Sequence, residues 1–224
     1  MAFDGLLITE IFHSLQGETT LTGVPFAFIR LTGCNLRCTY CDSTYSFKGG
    51  TKKSIDEIIA TIEPYQVEHV LLTGGEPLLQ RQSPELVRRL KEKGYQVSIE
   101  THGEVSIEKV ASDARIILDV KTPSSGMSRG GFKKNLPLLK PTDEVKFVIA
   151  SADDYAWAKQ VLAENTFIPK TVLFSPAQVA LNQPGKFSGV TATWLAEKIL
   201  EDRLKVRLQI QLHKLLWGAD RKGV

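Results

Sequence analysis

Cys34, Cys38 and Cys41 are the only cysteines of a 224-residue chain, and all three fall in one short stretch, TGCNLRCTYCDSTYSF. Three thiolates at C-x3-C-x2-C spacing can cover one face of a metal centre. Structural zinc normally takes four ligands, so zinc here needs a histidine as well. His13, His69, His102 and His213 all lie outside short ligand spacing from the cysteines. The alternative is an iron–sulfur cubane, [4Fe–4S], with three irons held by the protein and the fourth free. An open iron can bind a substrate or cofactor directly, which explains three cysteines where two or four would not. Buried structural thiols are the other reading, but a polar loop carrying Arg37 and Asp42 does not resemble core packing.

The elements that must position this loop are legible in outline. PFAFIRLT (25–32) is aromatic and β-branched and runs directly into the cysteines. SIDEIIATIE (54–63) sets Ser54 and Glu57 at capping-box spacing and Ile55, Ile58, Ile59 and Ile62 at helical intervals. EHVLLT (68–73) reads as a short buried strand stopped by Gly74-Gly75, and PELVRRLKEKG (84–94) as a helix opened by Pro and closed by Gly. QVSIET (96–101), RIILDV (115–120), EVKFVIA (144–150) and TVLF (171–174) are further strands, with helices near 153–164 and 191–203. VRLQIQL (206–212) alternates as a last strand, and the Gly- and Pro-rich segment 121–141 is a long functional or mobile loop.

Strands alternating with helices predict an α/β fold with a largely parallel sheet, about six β/α units, short of the eight of a closed barrel. In such sheets the loops at the strands' C-terminal ends form the site. Here those loops carry the cysteines, GGEP, THGE, the end of LDVK, SPAQ and LHK. The length suits one domain spanning 1–224. A net charge of +3 is too mild to argue for nucleic acid, and no 18-residue apolar run calls for a membrane span. The N-terminal MAFDGLLITEIFHSLQGE has neither the basic and apolar regions of a signal peptide nor the character of a transit peptide. A reducing cytoplasm is expected, where clustered cysteines signal metal or catalysis.

C-x3-C-x2-C with Tyr40 just before the last cysteine, followed at a distance by LLTGGEPLL (71–79), resembles the radical S-adenosylmethionine (SAM) superfamily. That resemblance implies a partial TIM-like β/α barrel, a [4Fe–4S] cluster on the three cysteines, and SAM chelated at the open iron and cleaved reductively to a 5'-deoxyadenosyl radical. The glycines of GGEP suit close backbone approach to a ligand.

EIFHSLQGE (10–18), GVPFAFIRLTGCNLRCTYCD, TGGEP, IETHG and LQIQLHKLLWG together resemble the 7-carboxy-7-deazaguanine synthases, and the likeness covers nearly the whole chain. It implies ring contraction of 6-carboxy-5,6,7,8-tetrahydropterin with loss of ammonia, within queuosine and other deazapurine biosynthesis. It also implies Mg²⁺, a homodimer and an electron donor such as flavodoxin. Carried over residue by residue, Leu15, Gln16, Gly17 and Glu18 would wrap the pterin, Arg30 would pair with its carboxylate, and Thr73 and His213 would touch it. SAM would meet Tyr40, Gly75, Glu100, Asp119, Val120 and Lys121, and a later loop of Ser175, Pro176, Ala177 and Gln178. Two departures stand out. Thr19 follows QGE where many members have Gly, and Ser43 replaces the usual Thr expected as the Mg²⁺ ligand, with Thr44 next to it as a second hydroxyl. A glycyl-radical activase shares the cysteine loop but is not expected to carry SLQGE. A zinc-binding module without catalytic activity is the remaining competitor.

Overall fold

The structure, a computed structural model, describes residues 5–165, 169–177, 189–218 and 221–224. Its strands are β1 (Gly5–Leu15), β2 (Pro25–Leu31), β3 (Thr51–Ser54), β4 (His69–Gly74), β5 (Gln96–Thr101), β6 (Arg115–Val120), β7 (Glu144–Ile149), β8 (Thr171–Pro176) and β9 (Arg207–Leu208). They form one sheet in the order β3-β1-β2-β4-β5-β6-β7-β8-β9. From β2 onward every neighbouring pair is parallel, while β1 pairs antiparallel with both β2 and β3. The sheet does not close on itself, so the architecture is a partial barrel, as expected.

The helices are α1 (Ile55–Ile62), α2 (Ser83–Glu92), α3 (Ala152–Glu164), α4 (Ala192–Glu201) and α5 (Leu212–Trp217). The capping box at α1 forms: Ser54 Oγ accepts from the Glu57 N–H at 3.2 Å, and Glu57 returns an oxygen to the Ser54 N–H at 2.7 Å. Among the described residues, four crossovers carry an α-helix. Residues 102–114 and 121–143 connect β5 to β6 and β6 to β7 with turns and short 3₁₀ segments instead. The second of these is not a loose flap. Phe132 and Leu136 are buried in the main core, and Asn135 Nδ2 donates to the Gly103 and Val105 carbonyls at 2.8 and 2.9 Å. Two short apolar plugs stand there in place of a helix.

Strand alternation divides the sheet into two faces. Ala27, Ile29 and Leu31 of β2, Val70 and Leu72 of β4, Ile116, Leu118 and Val120 of β6, and Val145, Phe147 and Ile149 of β7 all join the helix-covered core. The intervening residues face the other way. Phe12, Phe26, Phe28, Leu71 and Ile117 make a small aromatic cluster, with Phe12 and Phe28 stacked at 4.8 Å. Toward the C-terminal ends of the strands this second face turns polar.

Two strand expectations change. β1 and β3 were not anticipated, and the strand expected over 206–212 shrinks to Arg207–Leu208. Past Leu208 the chain is redirected: the Leu212 N–H bonds the Gly17 carbonyl at 2.9 Å and α5 begins.

Candidate active site

A cavity of about 490 Å³ opens at the C-terminal ends of the parallel strands. Cys34, Cys38 and Cys41 all line it, together with Leu15, Gln16, Gly17, Glu18, Arg30, Tyr40, Ser43, Thr44, Thr73, Gly75, Glu100, Asp119, Lys121, Ser175, Pro176, Ala177 and His213. Two expected residues do not join them. Val120 lies between Asp119 and Lys121, so alternation sends its side chain to the opposite face, where it is fully buried in the core. Gln178 lies outside the described residues.

Backbone contact sets the cysteine loop against the GGEP turn. The Gly75 N–H bonds the Leu31 carbonyl at 3.2 Å and the Glu76 N–H bonds the Gly33 carbonyl at 2.8 Å. A Cβ on Gly75 would lie 2.0 Å from the Gly33 oxygen, so only glycine allows this approach. Arg37 Nη1 donates to the Cys34 and Leu36 carbonyls at 2.8 and 2.6 Å, its guanidinium 4.2 Å from the centre of the Phe47 ring. On the far side, the Thr39 N–H and hydroxyl bond the carbonyls of Ser125 and Ser124, and the Tyr40 hydroxyl meets Thr122 Oγ1 at 3.1 Å. Segment 121–143 therefore also supports the cysteine loop.

Behind GGEP, Glu76 is fully buried and turned away from the cavity. It accepts from the Leu78 and His102 N–H groups at 3.0 Å and from the Thr101 hydroxyl at 2.9 Å. Burial pushes its carboxyl up to about 7. His102 Nδ1 accepts from the Glu104 N–H at 3.0 Å, which leaves the proton on Nε2 to donate to Asn35 Oδ1 at 2.8 Å. Burial lowers this imidazole to about 4.

The same cavity is lined by the residues expected to meet the pterin. Arg30 Nε donates to Glu10 Oε1 at 2.7 Å, and the Tyr45 hydroxyl donates to the same oxygen at 2.8 Å. The Glu10 contact uses the Nε donor of Arg30, which itself lines the cavity. Glu18 accepts from Gln211 Nε2 at 2.8 Å and from Lys146 Nζ at 2.8 Å. Burial works to raise its carboxyl, and the charge and hydrogen bond of Lys146 reverse this, so Glu18 ionises below the ordinary range. His213 packs on Gly17, where a Cβ would lie 2.3 Å from Nδ1, and burial lowers its pKa. Asp42 lies 3.3 Å from Lys214 and accepts from the Ser43 hydroxyl at 2.8 Å. Residues 221–224 close one side, with Lys222 Nζ 4.3 Å from the Tyr45 ring centre. His13 and His69 stay apart from the site, stacked on Tyr65 and Phe26.

Sequence reasoning missed Glu10, Tyr45, Gln211, Lys214 and, above all, Lys146. A signal for the last existed: a lone lysine inside the apolar strand EVKFVI, where parallel strands normally run continuously apolar.

The donor set fits an iron–sulfur cluster with SAM beside it. Burial raises all three thiols, Cys41 to about 11, so ionising them calls for an electropositive centre. Among the described residues no three His, Cys, Asp or Glu side chains converge as a single metal ion requires. A cubane makes no such demand, since each thiolate holds a different iron. Asp119 Oδ1 is buried without a hydrogen-bond partner, an acceptor open to a ligand's donor.

An open parallel sheet with three thiols in the loop after its first parallel strand defines a radical SAM protein, and the model of the radical SAM superfamily matches residues 28–147. At full length the chain is 45% identical to the 7-carboxy-7-deazaguanine synthase of Koribacter versatilis, over 97% of this chain and 99% of that protein. It is 35% identical to the enzyme of the same name from Thermoplasma acidophilum, over 98% and 100%. In fold it resembles the crystal structure of QueE from Escherichia coli, with a TM-score of 0.72 at 22% identity, covering 93% of this chain and 95% of that one. The chain belongs to the 7-carboxy-7-deazaguanine synthase family of radical SAM enzymes. The family's cofactors are a [4Fe–4S] cluster and SAM. No described helix is long and apolar enough to cross a membrane.

Proposed function

We propose that this chain converts 6-carboxy-5,6,7,8-tetrahydropterin to 7-carboxy-7-deazaguanine with loss of ammonia, a step toward queuosine and related deazapurines. The observation that carries this reading is one cavity that gathers both sets of residues. The three thiols and the ends of β4, β5, β6 and β8 line it together with the 15–18 segment, Arg30 and α5. When bound, the cluster and SAM supply the electron and the radical that begin the rearrangement. The protein binds and orients.

Arg30, fixed by Glu10, presents a planar pair of donors to the pterin carboxylate. Glu18 accepts from the guanidine-like edge of the ring, with Leu15, Gln16 and Gly17 shaping the pocket and Thr73 and His213 flanking it. Tyr40, Gly75, Glu100, Asp119, Lys121 and the Ser175–Ala177 segment face SAM. For Mg²⁺ the favoured ligand is Ser43. Its hydroxyl proton goes to Asp42, which leaves the oxygen lone pairs free for a hard cation. A homodimer is proposed through β9, the last strand of the sheet among the described residues, where Leu208, Ile210, Leu215 and Leu216 are exposed. An external one-electron donor such as flavodoxin completes the system.

Anaerobically reconstituted protein should turn carboxytetrahydropterin, SAM, reductant and Mg²⁺ into the deazaguanine, read by its ultraviolet absorbance and mass. Ser43→Ala should raise the Mg²⁺ concentration needed for half-maximal rate, and Thr44→Ala should not. A protein with about four irons per chain that makes no product would favour the activase.

A further inference from the structure

Lys146 sits on β7, directly opposite Asp119 of β6 in the parallel register, with its side chain 4% exposed. Its ammonium lies 2.8 Å from Glu18 Oε2 and 3.3 Å from Asp119 Oδ2, and it donates to Glu100 Oε1. Three carboxylates from three elements, the segment after β1, the end of β5 and the end of β6, thus meet on one cation. Lys121 reaches Asp119 at 3.0 Å, and His213 of α5 also faces the group. Burial of Lys146 favours losing its proton, and Asp119, Glu100 and Glu18 more than offset this.

Charge counting separates this cluster from an ordinary structural pair. Glu18, Glu100 and Asp119 bring three negative charges; Lys146 and Lys121 bring two positive ones, which leaves an excess of one negative charge. Asp119 Oδ1 has no partner. A buried wall that is one positive charge short, with an open acceptor, is suited to receive a cation or an array of N–H donors. Both proposed ligands bring them, SAM through its ammonium and sulfonium, the pterin through its guanidine-like edge.

We infer that Lys146 is a positioning residue that ties the pterin-facing Glu18 to the SAM-facing Glu100 and Asp119, so that both ligands are held by carboxylates fixed to a single ammonium. This rests on the placement of pterin and SAM given above. The lysine touches neither ligand in this scheme; it keeps their acceptors ionised and aimed.

Lys146→Met leaves Glu18 and Asp119 buried without the cation that offsets their desolvation, so their carboxyls rise toward neutrality. Wild-type iron content and a cooperative melting transition above the assay temperature establish that the variant is folded and loaded. Its kcat/KM at pH 7 should fall by about a hundredfold or more. It should also gain a rising acid limb between about pH 6 and 8 that the wild type lacks. In cluster-free protein, binding of fluorescent 6-carboxypterin should weaken at least about tenfold at pH 7 and recover in part at higher pH. A merely structural lysine would lower stability without creating that limb. If Lys146→Met does not fold, the double variant Lys146→Met/Glu100→Gln, which removes one carboxylate with the cation, is measured the same way. A folded, iron-replete variant of either kind with a flat pH profile and wild-type pterin binding overturns the inference. A wild-type protein that makes no deazaguanine sinks the functional reading instead.

Discussion

Gly75 is where the cysteine loop depends on an absent methyl group. An alanine there would put its Cβ 2.0 Å from the Gly33 oxygen, 2.5 Å from the Gly33 carbonyl carbon and 2.9 Å from Cys34 Cβ. Two of the three obstacles are backbone, so no side-chain rotation relieves them. Ordinary contact begins near 3.4 Å, so the Gly33 carbonyl must retreat by roughly 1.4 Å, carrying Cys34 with it. Overpacking of this kind costs about 1–3 kcal/mol, and a displacement of about 1 Å at a reacting centre can cost about a hundredfold in rate. Gly75→Ala should therefore lose iron on anaerobic reconstitution and drop in turnover by at least that factor. Gly94→Ala is the control. It sits at φ +91 with nothing within 4 Å of the added carbon. It should cost about 1–2 kcal/mol in left-handed backbone strain and leave iron content unchanged. Gly75→Ala with full iron content and a rate within about threefold of wild type, well inside the penalty expected for that displacement, would refute the reasoning.

Two further outcomes follow from local geometry. Thr19 adopts φ 70, a backbone conformation that favours glycine. Thr19→Gly removes about 1–2 kcal/mol of strain but gives up the Leu21 N–H bond to Thr19 Oγ1 and adds unfolded-state entropy. Urea unfolding should place it within about 0.5 kcal/mol of wild type, while Thr19→Val, which keeps the strain and loses the hydroxyl, should cost about 1 kcal/mol. In cluster-free protein, Glu76 and His102 set opposed pH slopes. Glu76, raised from 4.5 to about 7, contributes stability present below pH 4.5 and lost as pH climbs through 7. His102, lowered from 6.5 to about 4, contributes stability present above pH 6.5 and lost as pH falls through 4. His102→Gln should leave a protein that weakens as pH rises from 4.5 to 7, and Glu76→Gln one that weakens as pH falls from 6.5 to 4. Unchanged urea midpoints across those windows would contradict the assignment.

Helices α1 to α4 and the parallel strands β2 and β4 to β8 were legible from their apolar runs and their start or stop residues, as with the capping box at Ser54 and Glu57; α5 was not expected. β1 was not. Its register shifts between Ile8 and Glu10, which breaks the alternation that marks a strand. β3, with sequence TKKS, offers no apolar face at all. The strand expected at 206–212 ended early because a tertiary bond, Leu212 to Gly17, outweighed a good local pattern. Segment 121–141 was rightly read as non-helical. Its burial was less visible, because Phe132 and Leu136 stand isolated among polar residues.

At the site, β2, β4, β6 and β7 obey one parity rule, and applying it would have sharpened the reading. Arg30 on β2 shares a face with Phe26 and Phe28; Thr73 on β4 shares one with Leu71; Asp119 on β6 shares one with Ile117. Given any one cavity-facing residue per strand, period two fixes the others. It turns the side chain of Val120, which stands beside Asp119, into the core. It also places Lys146 and Val148 of β7 on the cavity face, opposite Val145, Phe147 and Ile149 in the core. A lysine forced onto that buried face must find anions there. The neighbouring strand ends, Glu100 and Asp119, are where a reader of the sequence alone should have looked for them. Side-chain identity suggested the chemistry of this site; strand parity decides which of those side chains can take part in it.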